Sequence, residues 1–145
     1  MAYLVDTNVF LRLVPKNDPY TALSALEKVR RSNEELFHTT QVLAEFLMVC
    51  TRPVSARGGY GLSFQRAERK IRIIERFCRL LPDNLATHLE WRRLVVAYSV
   101  KGVEVHDARL VASMIAHGVK HLLTFDVGDF KRYREIRALS PADIG

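Results

Sequence analysis

The sequence predicts a three-layer α/β/α domain built on a central, mainly parallel sheet of four to five strands. Short apolar, β-branched runs alternate along the chain with longer helical stripes, the pattern that crossover helices between parallel strands produce. The first of these runs, Ala2–Val5, is continuously apolar, as a strand buried on both faces should be. Acidic residues stand where such runs end, and that edge of an open parallel sheet faces the crevice in which ligands bind.

Met1–Leu13 reads as strand, turn and helix. Asp6, Thr7 and Asn8 break the apolar run and are residue types that cap helices, and helical spacing resumes at Val9, Phe10 and Leu13. Pro15–Asp18 is a turn, and Asp18-Pro19 has the form of an N-cap followed by proline at the first helical position. Leu23, Leu26 and Val29 stripe the next helix, and Leu36–Thr39 is a second strand. A helix from about Thr40 has Val42, Leu43, Phe46, Leu47 and Cys50 on a wide apolar face, with Glu45 between Ala44 and Phe46. Arg52-Pro53 ends it. The glycine-rich Pro53–Gly61 reads as the most flexible stretch, either a plain linker or a mobile loop on the substrate side.

Ser63 caps a helix over Phe64–Phe77, with Ile71, Ile74 and Phe77 inward and a run of arginines outward. Leu80-Leu81 forms a third strand. Thr87 and Glu90 have capping-box spacing and open a helix to about Val100, burying Trp91, Leu94, Val95 and Tyr98. Val103–Asp107 reads as a short extended piece leading into a helix over Ala108–His117, which Gly118 terminates. His121–Phe125 is a strand followed by Asp126. A helical turn over Phe130–Tyr133 leads to an edge strand near Ile136–Leu139.

With 145 residues, 48% of them hydrophobic, the chain suffices for one domain, 1–145, with a real core. It contains no internal repeat and no apolar run long enough to span a membrane, which takes about 20 residues. No basic region precedes its first apolar stretch, so no signal peptide is expected. Cys50 and Cys78 lie in apolar helical patterns and form neither a disulfide framework nor a zinc motif, so a reducing cytoplasm is the expected location. The net charge of +6 favours a polyanionic partner, nucleic acid above all.

Against that basic background, four of the sixteen acidic residues stand apart from polar helix faces: Asp6, Glu45, Asp107 and Asp126. Three of them are at element junctions that a parallel sheet gathers on one edge. Two carboxylates about 4 Å apart repel by about 4 kcal/mol at an effective dielectric of about 20. Either one is protonated or a cation sits between them. All-oxygen ligands without a Cys or His pair favour Mg²⁺ or Mn²⁺ over zinc, and such an ion suits phosphodiester hydrolysis.

VDTNVF at the N-terminus, AEF around Glu45, HDARLVA at Asp107 and LLTFDVGDF at Asp126 resemble, in order and spacing, the four motifs of PIN-domain nucleases. The resemblance covers essentially the whole chain, and the size resembles the VapC-type toxins of bacterial toxin–antitoxin pairs. TRPVSARGGYGLS and WRRLV resemble segments of that group as well. What the resemblance implies is an endoribonuclease dependent on Mg²⁺ or Mn²⁺. Asp6, Glu45 and Asp107 would be its core metal-binding acids, and Asp126, where the family often has Asn, the fourth. Thr7, Asn8 and Thr124 match polar positions that steady those carboxylates. The family also implies a homodimer and a cognate antitoxin. Candidate surface for the dimer lies around Phe10, Leu13, Leu43, Leu47 and Ile74, and unpaired carboxylates invite a basic side chain from the inhibitor.

Arg52 and Arg57 in the glycine-rich loop, and Arg69 and Arg76 on the following helix, are candidate RNA contacts, the loop pair being favoured. Asp129 reads either as a further acid of the site or as the cap of the following turn. His106, beside Asp107, reads as structural because cation-assisted hydrolysis needs no histidine base. Two alternatives stay open: a domain that keeps the fold without the activity, and a phosphotransfer domain using a strand-end aspartate. The phosphatase version wants a second Asp where Asn8 stands, and the receiver version wants a Lys after a late strand, where the chain has none.

Overall fold

The computed structural model describes residues 1–14 and 20–144. The turn expected at Pro15–Asp18 and the helix start at Asp18-Pro19 lie outside the described residues. The strands are β1 (Ala2–Val5), β2 (Glu35–His38), β3 (Arg79–Leu80), β4 (His121–Leu123) and β5 (Arg137–Leu139), and the helices are α1 (Thr7–Leu11), α2 (Tyr20–Arg31), α3 (Thr40–Thr51), α4 (Phe64–Phe77), α5 (Leu85–Ala97) and α6 (Glu104–His117). The five strands form one sheet in the order β3-β2-β1-β4-β5, and every pairing is parallel.

Strand β1 is central, with Tyr3 opposite Leu36 on one side and His121 on the other. Its successive residues Tyr3, Leu4 and Val5 are all buried, which requires cover on both faces of the sheet. The chain leaves β1 toward β2 and β3 on one side, then returns to build β4 and β5 on the other. The crevice of an open α/β sheet opens where the strand order reverses, here between the carboxyl ends of β1 and β4. The Asp6 N–H donates to Leu123 O at 2.9 Å across that junction.

The helices follow their caps. Thr39 Oγ1 accepts from the Val42 N–H at 3.1 Å, Ser63 Oγ from the Arg66 N–H at 3.2 Å, and Gly118 (φ 71°) closes α6. Helix α5 begins earlier than expected. Asn84, a stronger cap than Thr87, accepts through Oδ1 from both the Thr87 N–H (2.9 Å) and the Thr87 hydroxyl (3.0 Å). Of the residues expected inside α5, Leu94 is fully buried, whereas Trp91, Val95 and Tyr98 are half-buried.

Val103–Asp107 is not extended. Gly102 (φ 62°) turns the chain, and the Val105 and His106 N–H groups bond to Gly102 O and Val103 O as the first turn of α6. The alternating valines imitate a strand, but Val103 is 84% exposed and α6 packs along α5 instead. In α2 the inner line runs through Ala22, Ala25, Leu26 and Val29, leaving Leu23 at the surface; in α4 it runs through Ala67 and Ile74, leaving Phe77 at the surface. Phe10 and Ile74, expected to contribute to a surface, belong to the core, and Leu13, Leu43 and Leu47 are half-buried against it.

The glycine-rich stretch is tied down. The Tyr60, Gly61 and Leu62 N–H groups donate to Val49 O, Arg52 O and Cys50 O at 3.0, 2.9 and 2.8 Å, folding the loop back on the end of α3. Gly59 permits this approach, since a Cβ there would stand 2.3 Å from Pro53 O and 2.4 Å from Arg52 O. Both cysteines are free and buried, and burial pushes the Cys50 thiol up to about 11 and the Cys78 thiol to about 12, so neither is a ready nucleophile. Among the described residues no helix is long and apolar enough to cross a membrane.

Candidate active site

At the end of β1 the strand's last peptide delivers Asp6 into the crevice, where the side chain also caps α1. Asp6 Oδ1 accepts from the Thr7 N–H at 2.7 Å, and Oδ2 accepts from the Thr124 hydroxyl at 2.8 Å. Asp6 therefore caps α1 and also faces the crevice. Thr124 directly follows β4, the strand paired with β1, so strand register alone brings it to Asp6.

Asn8, one position into α1, fastens the two strand ends together. Its Oδ1 accepts from the Phe125 N–H at 3.1 Å, which turns its Nδ2 toward Thr124 Oγ1 and Asp126 Oδ2, both at 3.1 Å. Asp126 is exposed, and its own N–H donates to Thr124 Oγ1 at 3.0 Å.

Glu45 arrives from α3. The Thr7 hydroxyl donates to Glu45 Oε2 at 2.9 Å, and Gln41, one turn earlier, donates Nε2 to Glu45 Oε1 at 3.2 Å and to His106 O at 2.9 Å. Gln41 thus links Glu45 to the first turn of α6, which carries Asp107. Reading the sequence missed Gln41. Its signal was the i, i+4 spacing to Glu45, which puts both side chains on one helix face.

Asp107 receives no hydrogen bond among the described residues. Burial pushes its carboxyl up from 3.8 to about 6, and the charges of Asp129, Glu45, Asp126 and Glu104 push in the same direction. Asp6 is likewise pushed up to about 6, chiefly by burial, against the hydrogen bonds from Thr124 and Thr7 and with help from Glu45 and Asp107. Asp129 lies inside the short turn Val127–Phe130, its N–H donating to Asp126 O at 3.0 Å, and does not cap it. Among the described residues, no ion pair involves Asp6, Glu45, Asp107, Asp126 or Asp129.

The sequence profile of the PIN domain family matches residues 3–136. The chain belongs to that family. No curated protein matches it at a significant level. Solved structures match along nearly the whole length. The VapBC2 complex of Rickettsia felis bound to promoter DNA matches with a TM-score of 0.74 and 19% identity, over 97% of this chain and 98% of that one. VapBC-1 of nontypeable Haemophilus influenzae gives 0.73 and 19%, over 99% and 100%. VapC20 of Mycobacterium tuberculosis, described as a sarcin–ricin loop-cleaving toxin, gives 0.63 and 20%, over 93% and 98%. At these identities the likeness is one of fold.

In this PIN domain the four acids marked in the sequence, Asp6, Glu45, Asp107 and Asp126, meet at one crevice, with Thr7, Asn8 and Thr124 bonded among them. Among the described residues no group of three or more His, Cys, Asp or Glu side chains is spaced to hold a metal ion as it stands. The donor chemistry nevertheless fits a hard divalent cation: the acids offer only oxygen donors, and none of them forms an ion pair among the described residues.

The basic candidates lie outside this network. Among the described residues Arg52, Arg57, Arg69 and Arg76 make no hydrogen bond or ion pair with the acids; Arg57, Arg69 and Arg76 are exposed and Arg52 is half-buried. A cation that reading the sequence missed stands beside a residue of the site. The Arg12 guanidinium stacks 4.4 Å from the ring centroid of Phe125, the residue between Thr124 and Asp126.

Proposed function

We propose that this protein is an endoribonuclease that depends on Mg²⁺ or Mn²⁺ and acts as the toxin of a toxin–antitoxin pair. The observation that carries the reading is the meeting of Asp6, Glu45, Asp107 and Asp126, without an ion-pair partner among the described residues, at the strand-order reversal of a PIN fold. Asp6, Glu45 and Asp107 would hold the cation, with Asp126 at the rim. The bound cation supplies charge neutralisation at the phosphate and an activated water.

The chain's own residues do the rest. Thr7 and Gln41 each hold one oxygen of Glu45, so that carboxylate is fixed in rotation. Thr124 and the Thr7 N–H hold the two oxygens of Asp6 in the same way. Asn8 ties Asp126 to that frame, a role for which its amide suits better than the second aspartate a phosphatase would place there. Arg12, at the edge of the crevice, offers a guanidinium to a flanking phosphate.

The toxin setting draws on the fold matches, several of which are VapBC complexes. An antitoxin would neutralise the site with an Arg or Lys placed among the acids, in competition with Mg²⁺. A homodimer and a cytoplasmic location belong to the same reading. Leu23, Ile73 and Phe77 offer it exposed apolar surface, lining with Phe10 and Leu13 a groove of about 230 Å³.

The test is cleavage of single-stranded RNA by the purified chain. Cutting should require Mg²⁺ or Mn²⁺ and stop in chelator, and Glu45→Gln or Asp107→Asn should lower it by about 100-fold or more while the protein stays folded. Cutting undiminished by chelator, or full activity in both folded variants, would overturn the reading.

A further inference from the structure

Beside the acids a second cleft, of about 490 Å³, opens between the first turns of α5 and α6. Its size falls within the range of small-ligand pockets, about 300–1,000 Å³. Trp91 and His88 from α5 and His106 and Arg109 from α6 line it. We propose that this cleft is a nucleobase subsite, in which Trp91 stacks on a base neighbouring the phosphate that the acids receive. The inference rests on the endoribonuclease reading and extends it to how the substrate is gripped.

Position is the first support. His106, which lines the cleft, and Asp107 are consecutive in the first turn of α6, so the cleft and the acids flank the same turn. The Gln41 amide, donating to both Glu45 Oε1 and His106 O, joins the rim of the cleft to the acidic crevice.

Chemistry is the second. The Trp91 indole N–H donates to Val105 O at 2.9 Å, which fixes the ring and uses its one polar atom, so the ring meets a ligand through its π surface. The His88 and Trp91 rings are 6.2 Å apart and tilted by 46°, so they do not cover one another as a parallel stack would. Among the described residues no hydrogen bond occupies the ring nitrogens of His88 or the Nδ2 of Asn84, another lining residue, leaving groups for a base edge. Arg109 stands at the end of the cleft, its charge paired at 3.2 Å with Asp83, which also lines it. An aromatic face with polar groups beside it, next to a phosphate-handling site, is the arrangement that receives a base of a single strand.

Trp91 is the chain's one tryptophan, so its fluorescence reads this cleft alone. In the Asp6→Asn background, which should bind without cutting, a short oligoadenylate should quench that emission, and an abasic oligoribose phosphate of equal length and charge should not. Trp91→Leu should weaken oligoadenylate binding about ten-fold, and Trp91→Phe should restore most of it. The quench needs no variant of the cleft, so it stands even if Trp91→Leu proves unstable. Equal quenching by the abasic strand, or unchanged affinity and cutting in folded Trp91→Leu, overturns the subsite while leaving the nuclease reading intact. A chain that neither binds nor cuts RNA overturns both.

Discussion

Asp6→Asn should stabilise the cation-free protein at neutral pH while abolishing its activity. Asp6 is 8% exposed, and its carboxyl is pushed up from 3.8 to about 6. Because the folded value lies above the unfolded one, the native state holds this proton more tightly. The group's contribution is therefore most favourable below about pH 4 and is lost as pH rises through about 6. At about 1.4 kcal/mol for each tenfold change in proton affinity, the ionised carboxylate costs the native state about 3 kcal/mol at neutral pH. Asparagine does not titrate. Its Oδ1 can still accept from the Thr7 N–H, but its amide NH₂ faces Thr124 Oγ1, which donates to Asp6 Oδ2 at 2.8 Å and already accepts from the Asn8 amide and the Asp126 N–H, so one hydrogen bond is lost. That loss costs about 1 kcal/mol at any pH. The variant should thus be about 1 kcal/mol less stable than wild type near pH 3 and about 2 kcal/mol more stable at neutral pH. Urea unfolding in chelator at the two pH values measures this directly. Saturating Mg²⁺ should then raise the wild-type midpoint and leave that of the variant unchanged. Parallel pH dependence in the two proteins would refute the reasoning, since it would mean that the ionised Asp6 carboxylate costs the fold nothing.

Thr124→Val and Asn8→Ala, each removing a hydrogen bond that orients an acid, should lower Mn²⁺ affinity by about 10- to 100-fold, read by Mn²⁺ titration. Gly59→Ala should destabilise the fold by about 1–3 kcal/mol in urea unfolding, because its Cβ would meet two backbone carbonyls that cannot give way cheaply. If the loop guides RNA, replacing Arg52 and Arg57 should flatten the salt dependence of binding by about 0.7 of a power for each phosphate no longer neutralised. The same change in Arg69 and Arg76 should have less effect, and equal slopes in all variants would return these arginines to ordinary surface roles.

What could be read from the sequence was whatever local chemistry determines. The break at Asp6, the cap Ser63, the terminating Gly118 and the acids at strand ends are all visible because one or two residues set them. Misreadings arose where tertiary context decided. Val103 and Val105 alternate as in a strand, yet the turn at Gly102 and packing against α5 wind them into a helix. The glycines of Pro53–Gly61 imply freedom, but Gly59 is there to let the loop press against the backbone of Arg52 and Pro53. Phe77 and Leu23 fit an inward stripe by spacing, and their exposure follows from which neighbouring helix arrives, which no local pattern encodes. In the site, Gln41 was missed, although its i, i+4 relation to Glu45 carried the signal. The influence of Asp129 on Asp107 spans separate elements and emerges only when α6 and the turn after β4 meet.

Whether Asp6, Glu45 and Asp107 together hold a divalent cation decides the rest. Anomalous diffraction from crystals soaked in Mn²⁺ tests it most directly. A peak is expected at the carboxyl edge between β1 and β4, within coordination distance of carboxylate oxygens from all three residues, and it should vanish in Asp6→Asn crystals. A peak bound elsewhere, or one that persists unchanged in the variant, would contradict the assignment.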